Sequence, residues 1–111
     1  MDKLTRYREI IRKELAEYAV WTRRSGVTSE LVEDSRREHF ELLSVGWEGQ
    51  RRRIHHIVFH LDIIDGKVWV QHDATDRPIA EALAEAGIPK EDIVLGFTPP
   101  EVRPYTGYAV G

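Results

Sequence analysis

The sequence predicts an α+β fold: an N-terminal helix, a four-stranded antiparallel meander sheet, a second helix and an extended C-terminal tail. Three observations predict it. Apolar residues recur three or four positions apart over residues 3–21, the period of a helix buried on one side. From about residue 30 the period shortens to that of strands. Asp65-Gly66 then separates two alternating apolar runs, the signature of a two-residue hairpin with positive φ at both turn positions.

In the first helix, Leu4, Tyr7, Ile11, Leu15, Tyr18 and Trp21 fall on one stripe, while Arg6, Glu9, Lys13 and Glu17 lie away from it. Asp2 suits the N-cap. Ser25-Gly26 breaks the helical pattern. Segment 30–36 is polar apart from Leu31 and Val32 and reads as an edge strand, where charges discourage sheet-to-sheet aggregation. A second strand covers 39–47, and Glu48-Gly49-Gln50 turns the chain. The third strand runs from Arg53 to Ile64 and the fourth from Lys67 to Asp73. Arg77-Pro78-Ile79 opens a helix to about Ala86, with Asp76 as cap, Pro78 in its first turn and Gly87 at its end. Its buried side is Ile79, Ala82, Leu83 and Ala86. Residues 89–95 form a turn or a helix of one or two turns. The tail from Gly96 to Gly111 is extended and ordered, with Phe97, Val102, Tyr105 and Tyr108 as anchors.

A two-residue turn fixes the register of its hairpin. It pairs Ile64 with Lys67, Ile63 with Val68, Asp62 with Trp69, Leu61 with Val70, His60 with Gln71 and Phe59 with His72. Ile57, Phe59, Leu61, Ile63, Val68 and Val70 then share the core face. His56, Val58, His60, Asp62, Trp69, Gln71 and Asp73 share an open, mostly polar face, as expected for an antiparallel sheet covered on one side.

The composition fits one domain spanning residues 1–111: 41% of residues are hydrophobic and 32% charged. With no cysteine, disulfides and thiolate metal sites are excluded. No stretch approaches the ~20 apolar residues of a membrane-spanning helix, and the first residues lack the apolar segment of a signal peptide, so a cytoplasmic location is expected. The net charge is −3, with 16 basic and 19 acidic residues interspersed. Strong autonomous binding to duplex DNA would favour a basic face.

The chain offers little for catalysis. Ser25, Ser29, Ser35 and Ser44 lack the Gly-x-Ser-x-Gly elbow, and no glycine-rich phosphate loop is present. Tyr105 and Tyr108 lack the Arg/His framework of a recombinase nucleophile. Five histidines raise the question of a metal. His56 and His60 lie ~13 Å apart along one strand face, too far for shared ligation at ~2 Å, and the register turns His72 away from His60. His60, Asp62, Gln71 and Asp73 do cluster on the open face, where a solvated polar surface is the simpler reading, and no metal or other cofactor is expected. Arg51-Arg52-Arg53 is the densest basic run, a weak nucleic-acid candidate beside the simpler reading of a solvated hairpin end. Trp69 on the open face is either an interface anchor or buried beneath the tail.

Taken in order, several segments resemble the XisI family: Met1-Asp2-Lys3-Leu4, Tyr7-Arg8 and Ile10-Ile11; Leu42 to Trp47; His60-Leu61-Asp62-Ile63; Lys67 to Asp73; Gly87 to Phe97; and Pro99 to Arg103. The likeness runs over essentially all 111 residues. It implies relationship to a factor that controls programmed excision of the fdxN element in cyanobacteria. That factor acts beside a nuclease-like companion, XisH, and a separate recombinase that performs the strand chemistry. No catalytic residues transfer from the family. The resemblance therefore implies a non-catalytic accessory protein that works through an XisH-like partner, and the aromatic surface read from the residues adds the expectation of a homo-oligomer. The expected contact surface is the open face with Trp69, His60, Gln71 and Asp62, together with Tyr105 of the tail. Two alternatives remain: a direct DNA-binding cofactor using Arg51, Arg52 and Arg53, and a small metal-dependent enzyme using His60, Asp62 and Asp73.

Overall fold

The computed structural model describes residues 2–111. Helix α1 spans Lys3–Trp21, and the Asp2 carboxylate accepts the Thr5 N–H at 2.8 Å, satisfying one of the free donors of the first turn. Tyr7, Ile11 and Leu15, at four-residue spacing, are buried. Trp21 is not: it is 65% exposed, with the Arg77 guanidinium 4.6 Å above its ring. The core ends one turn earlier, where Tyr18 meets Phe59 edge-on at 4.9 Å.

Five strands follow in spatial order: β1 (Val27–Asp34), β2 (His39–Glu48), β3 (Arg52–Ile64), β4 (Lys67–Asp73) and β5 (Ile93–Leu95). The first four form the expected antiparallel meander, with β1 polar and at the edge. The fifth strand was not expected. Segment 89–95 contains a single 3₁₀ turn, Lys90–Asp92, and then pairs in parallel with β4. Three residues carry too little periodicity to announce a strand; this one exists because β4 offers it an edge. The polypeptide reaches that edge through helix α2 (Ile79–Glu85), the crossover that a parallel pair requires.

The Asp65-Gly66 turn is as expected, with φ of 51° and 78°. Its register holds from Ile64↔Lys67 to Leu61↔Val70 and then slips, so that His60 pairs with His72 and Phe59 with Asp73. Gln71 is thus the extra residue of a β-bulge. The expected pairs His60–Gln71 and Phe59–His72 are overturned, and His72 lies opposite His60. A second irregularity pairs Leu42 with Phe59 but Leu43 with Ile57, leaving Val58 as the extra residue. Val58 and Phe59 are both buried, whereas Ile57, expected in the core, is only half-buried. Each bulge reverses the inside–outside alternation beyond it. His56 accordingly leaves the open face and lines a crevice on the helix side with Tyr18, Thr22, Ser29 and Ser44.

Both helices cover the same face of the sheet. Tyr7, Ile11 and Leu15 of α1 and Ile79, Ala80 and Leu83 of α2 pack on Phe40, Leu42, Phe59, Leu61, Val68 and Val70. Ala82 is only partly buried and Ala86 is exposed, so the buried stripe of α2 is rotated from the expected one. Its cap differs as well. The Asp73 carboxylate accepts the Ile79 N–H at 2.8 Å and both the Thr75 N–H (2.8 Å) and hydroxyl (2.7 Å), the role expected of Asp76. Asp73 therefore belongs to the helix junction, not to the open-face cluster.

Ion pairs fasten α1 across the first hairpin. Arg12 donates to both Glu33 oxygens at 2.7 and 2.6 Å, and Arg8 donates through Nε and Nη2 to Glu38. These bonds hold the Glu33 and Glu38 carboxyls below their ordinary range. At the other end Asp92 receives the Tyr7 hydroxyl and lies 2.9 Å from Lys3 Nζ. No described helix is long and apolar enough to cross a membrane.

Candidate partner face and polar cluster

Asp62, on β3, is the hub of the open face. Directly opposite it on β2 lies His39, and the neighbouring pair on the same face is Glu41 opposite His60. Histidines and carboxylates thus alternate in a checkerboard across two strands. Asp62 Oδ1 is 2.7 Å from His39 Nδ1, and its Oδ2 is 3.1 Å from His60 Nε2 and 3.2 Å from the Gln71 amide nitrogen. His39 Nε2 faces Glu41 at 3.4 Å. The two imidazoles meet edge to face, with ring centres 4.5 Å apart. Partial burial pulls the His39 pKa down, but hydrogen bonds and charge from Asp62 and Glu41 outweigh it, and the net direction is upward.

Of the residues expected at the contact surface, the fold thus brings His60, Asp62 and Gln71 together. The Gln71 bulge is what aims its amide at Asp62. His39 and Glu41 escape a reading of the sequence because they enter from β2. The β2–β3 register depends on a longer turn and a bulge, not on a two-residue loop. The alternating segment His39-Phe40-Glu41 was the available signal.

Trp69 stands beside this cluster and is partly covered by the tail. The Arg103 guanidinium lies 5.1 Å over its ring, and Gly96 packs so closely that a Cβ there would lie 3.2 Å from Trp69 and 2.5 Å from the Gln71 amide oxygen. Arg103 in turn donates to the carbonyls of Thr98 (2.9 Å) and Gly96 (3.3 Å). Ala109 donates its N–H to the Ile93 carbonyl at 2.8 Å, and Lys67 reaches the Gly111 carbonyl at 2.6 Å. The tail is therefore held by its backbone and by Arg103. Of its four expected anchors, only Tyr108 packs against the core. Phe97, Val102 and Tyr105 are exposed, as is Val110; Tyr105 is 86% accessible, the most exposed of the large apolar side chains described.

The basic run sits at the β2–β3 turn and is largely engaged within the chain. Arg52 lies 3.4 Å from Glu48, which also pairs with Arg24 at 2.7 Å, and Arg53 stacks over Trp47 at 5.3 Å while donating to the Gly46 carbonyl. On the helix-covered side of the sheet, α1 and α2 enclose a groove of about 620 Å³ lined by Trp21, Glu14, Glu17, Glu81 and Glu85. Burial, with Glu17 nearby, raises the Glu14 pKa.

The sequence matches the family described as XisI protein over residues 1–110. The chain belongs to the XisI family. Two solved structures are similar over nearly their whole lengths. A XisI-like protein from Anabaena variabilis is 43% identical, with a TM-score of 0.88 over 97% of this chain and 99% of its own. The fdxN element excision controlling factor XisI from the same organism is 36% identical, with a TM-score of 0.83 over 99% and 100%. Both are far above the similarity at which only a fold is shared, and they agree with the two-helix, open-sheet architecture. No curated protein matches the chain.

Proposed function

We propose that this XisI family member is a non-catalytic accessory factor controlling excision of a DNA element, and that it acts by binding an XisH-like protein partner. The excision role rests on the resemblance to the controlling factor from Anabaena variabilis. The mode of action rests on one observation of this molecule: an ordered tail whose backbone is tied down while Phe97, Val102, Tyr105 and Val110 face solvent. Apolar side chains on a fixed segment gain nothing in the isolated chain, and a partner that covers them gains their transfer from water. Trp69 and its Arg103 partner then support the binding surface from beneath, and Asp62, His60 and Gln71 border it. Self-association to a homo-oligomer uses the same kind of surface. The engagement of Arg52 and Arg53 with Glu48 and Trp47 favours protein contact over direct DNA contact.

Co-purification of the full chain with its XisH-like partner tests this reading, alongside a salt titration with duplex DNA. Formation of a stable protein complex, with DNA binding weak and unchanged by reversing charge at Arg51, Arg52 and Arg53, is expected. Tight DNA binding that falls steeply with salt and is lost on that reversal would replace it with the DNA-cofactor reading.

A further inference from the structure

We propose that His39, His60 and Asp62 form a binding site for a divalent first-row transition ion of the Zn²⁺ or Co²⁺ type. The site is independent of the partner reading above. One ligand atom from each of the three residues lies within 4.8 Å of the others, and the cluster is half-buried. Around a tetrahedral ion at 2.0–2.1 Å, ligand atoms lie about 3.3 Å apart. The observed separations, 2.7 Å from His39 Nδ1 to Asp62 Oδ1 and 3.1 Å from His60 Nε2 to Asp62 Oδ2, are within side-chain adjustment of that value once the carboxylate turns one oxygen to the ion.

The surroundings match a metal site beyond the ligand count. A ligating histidine characteristically gives its other ring N–H to a carboxylate, which fixes its orientation and raises its basicity. His39 Nε2 faces Glu41 in this way. The Gln71 amide fixes the Asp62 carboxylate. All three ligands stand on the adjacent strands β2 and β3, and His39 and Asp62 are direct cross-strand partners, so the backbone sets their spacing. Two imidazoles and one carboxylate suit borderline ions; Mg²⁺ and Ca²⁺ prefer oxygen alone, and no thiolate is present to select a softer ion. On binding, the ion replaces whatever protons the two ligating nitrogens carry, and these are released to solvent. Three protein ligands leave at least one position open on the face away from the helices.

The full chain, washed with chelator, is titrated with Co²⁺ and followed by visible absorption, with Zn²⁺ as competitor. One equivalent is expected to bind and to be displaced by Zn²⁺. Losing an outer partner of a metal ligand typically costs about 10–100-fold in affinity, so His60→Gln and Asp62→Asn should each weaken binding by at least about tenfold, while His55→Gln should not. Because Asp62→Asn also alters the hydrogen bonds that order the cluster, the wild-type chain supplies a second readout: Co²⁺ should broaden the imidazole resonances of His39 and His60 ahead of those of His55, His56 and His72. Absence of binding at millimolar Co²⁺, equal affinity in the His39→Gln/His60→Gln double variant, or broadening centred on the other histidines would each overturn the site.

Discussion

The two faces of the one sheet obey different rules. On the helix-covered face, burial dictates residue type: Phe40, Leu42, Phe59, Leu61, Val68 and Val70 are almost wholly inaccessible, and any polar atom there would need a partner. On the open face, Asp62 gathers His39, His60 and Gln71 through hydrogen bonds, and side chains are placed by strand register, not by exclusion from water. The helix-covered face therefore tolerates little change. The open face and its tail hold the hydrogen-bonded cluster and the exposed apolar side chains, where substitutions are expected to cost the fold less. The two bulges join these regimes, because each moves residues from one face to the other.

The largest expected effects lie on the covered face. Phe59→Ala should cost about 3–5 kcal/mol in urea denaturation. The adjacent pair is more telling. With the bulge in place, Val58→Ala should cost about 2 kcal/mol and more than Ile57→Ala, although the latter deletes more atoms. The reverse order would mean that the strand alternates regularly and the bulge is absent. Next comes the α2 junction. Asp73→Ala should cost about 1–2 kcal/mol, because it strands the Ile79 and Thr75 donors, whereas Asp76→Ala should stay within about 0.5 kcal/mol. Comparing their urea midpoints decides which aspartate caps the helix.

Effects of similar size that also depend on pH are expected where Tyr7 meets Asp92. Burial pushes the Asp92 pKa up, but the Tyr7 and Lys3 hydrogen bonds outweigh it and leave it below the ordinary 3.8. The stability it contributes is complete well above 3.8 and disappears as pH falls through the lowered folded value. Burial and the bond to Asp92 push the Tyr7 hydroxyl up to about 12. Its contribution is complete below the ordinary 10 and fades as pH rises toward about 12. Tyr7→Phe should cost about 1–2 kcal/mol at neutral pH and remove the alkaline loss due to this group. An unchanged alkaline limb in urea melts at several pH values would contradict the assignment.

The readable and unreadable parts of the sequence divide along the same lines. The Asp65-Gly66 turn, the Asp2 cap, the Tyr7-Ile11-Leu15 stripe and the register from Ile64 to Leu61 all rest on interactions within a few residues, and all are present. The bulges at Val58 and Gln71 are settled by packing against other elements, so regular alternation misplaced Ile57, His56 and His72. β5 depends on an edge supplied by a strand some twenty residues earlier. The polar cluster was half legible. His60 and Asp62 share one strand and could be placed together, whereas His39 required the β2–β3 register. Asp73 looked like their neighbour until the bulge turned it toward α2. The outward tail residues were mistaken for anchors because an apolar residue in an irregular segment shows no periodicity to reveal which way it faces.

The central claim is that the fixed tail presents a partner surface while the core supports the fold. The most direct test is the affinity of the full chain for its XisH-like partner after Phe97→Ser and Tyr105→Ser, with thermal stability measured in parallel. The expected result is a melting curve close to wild type, since both side chains are exposed, together with a loss of binding of at least about tenfold, the scale of removing interface anchors worth 1–2 kcal/mol each. Undiminished binding by the doubly substituted chain would contradict the account and move the partner surface off the tail.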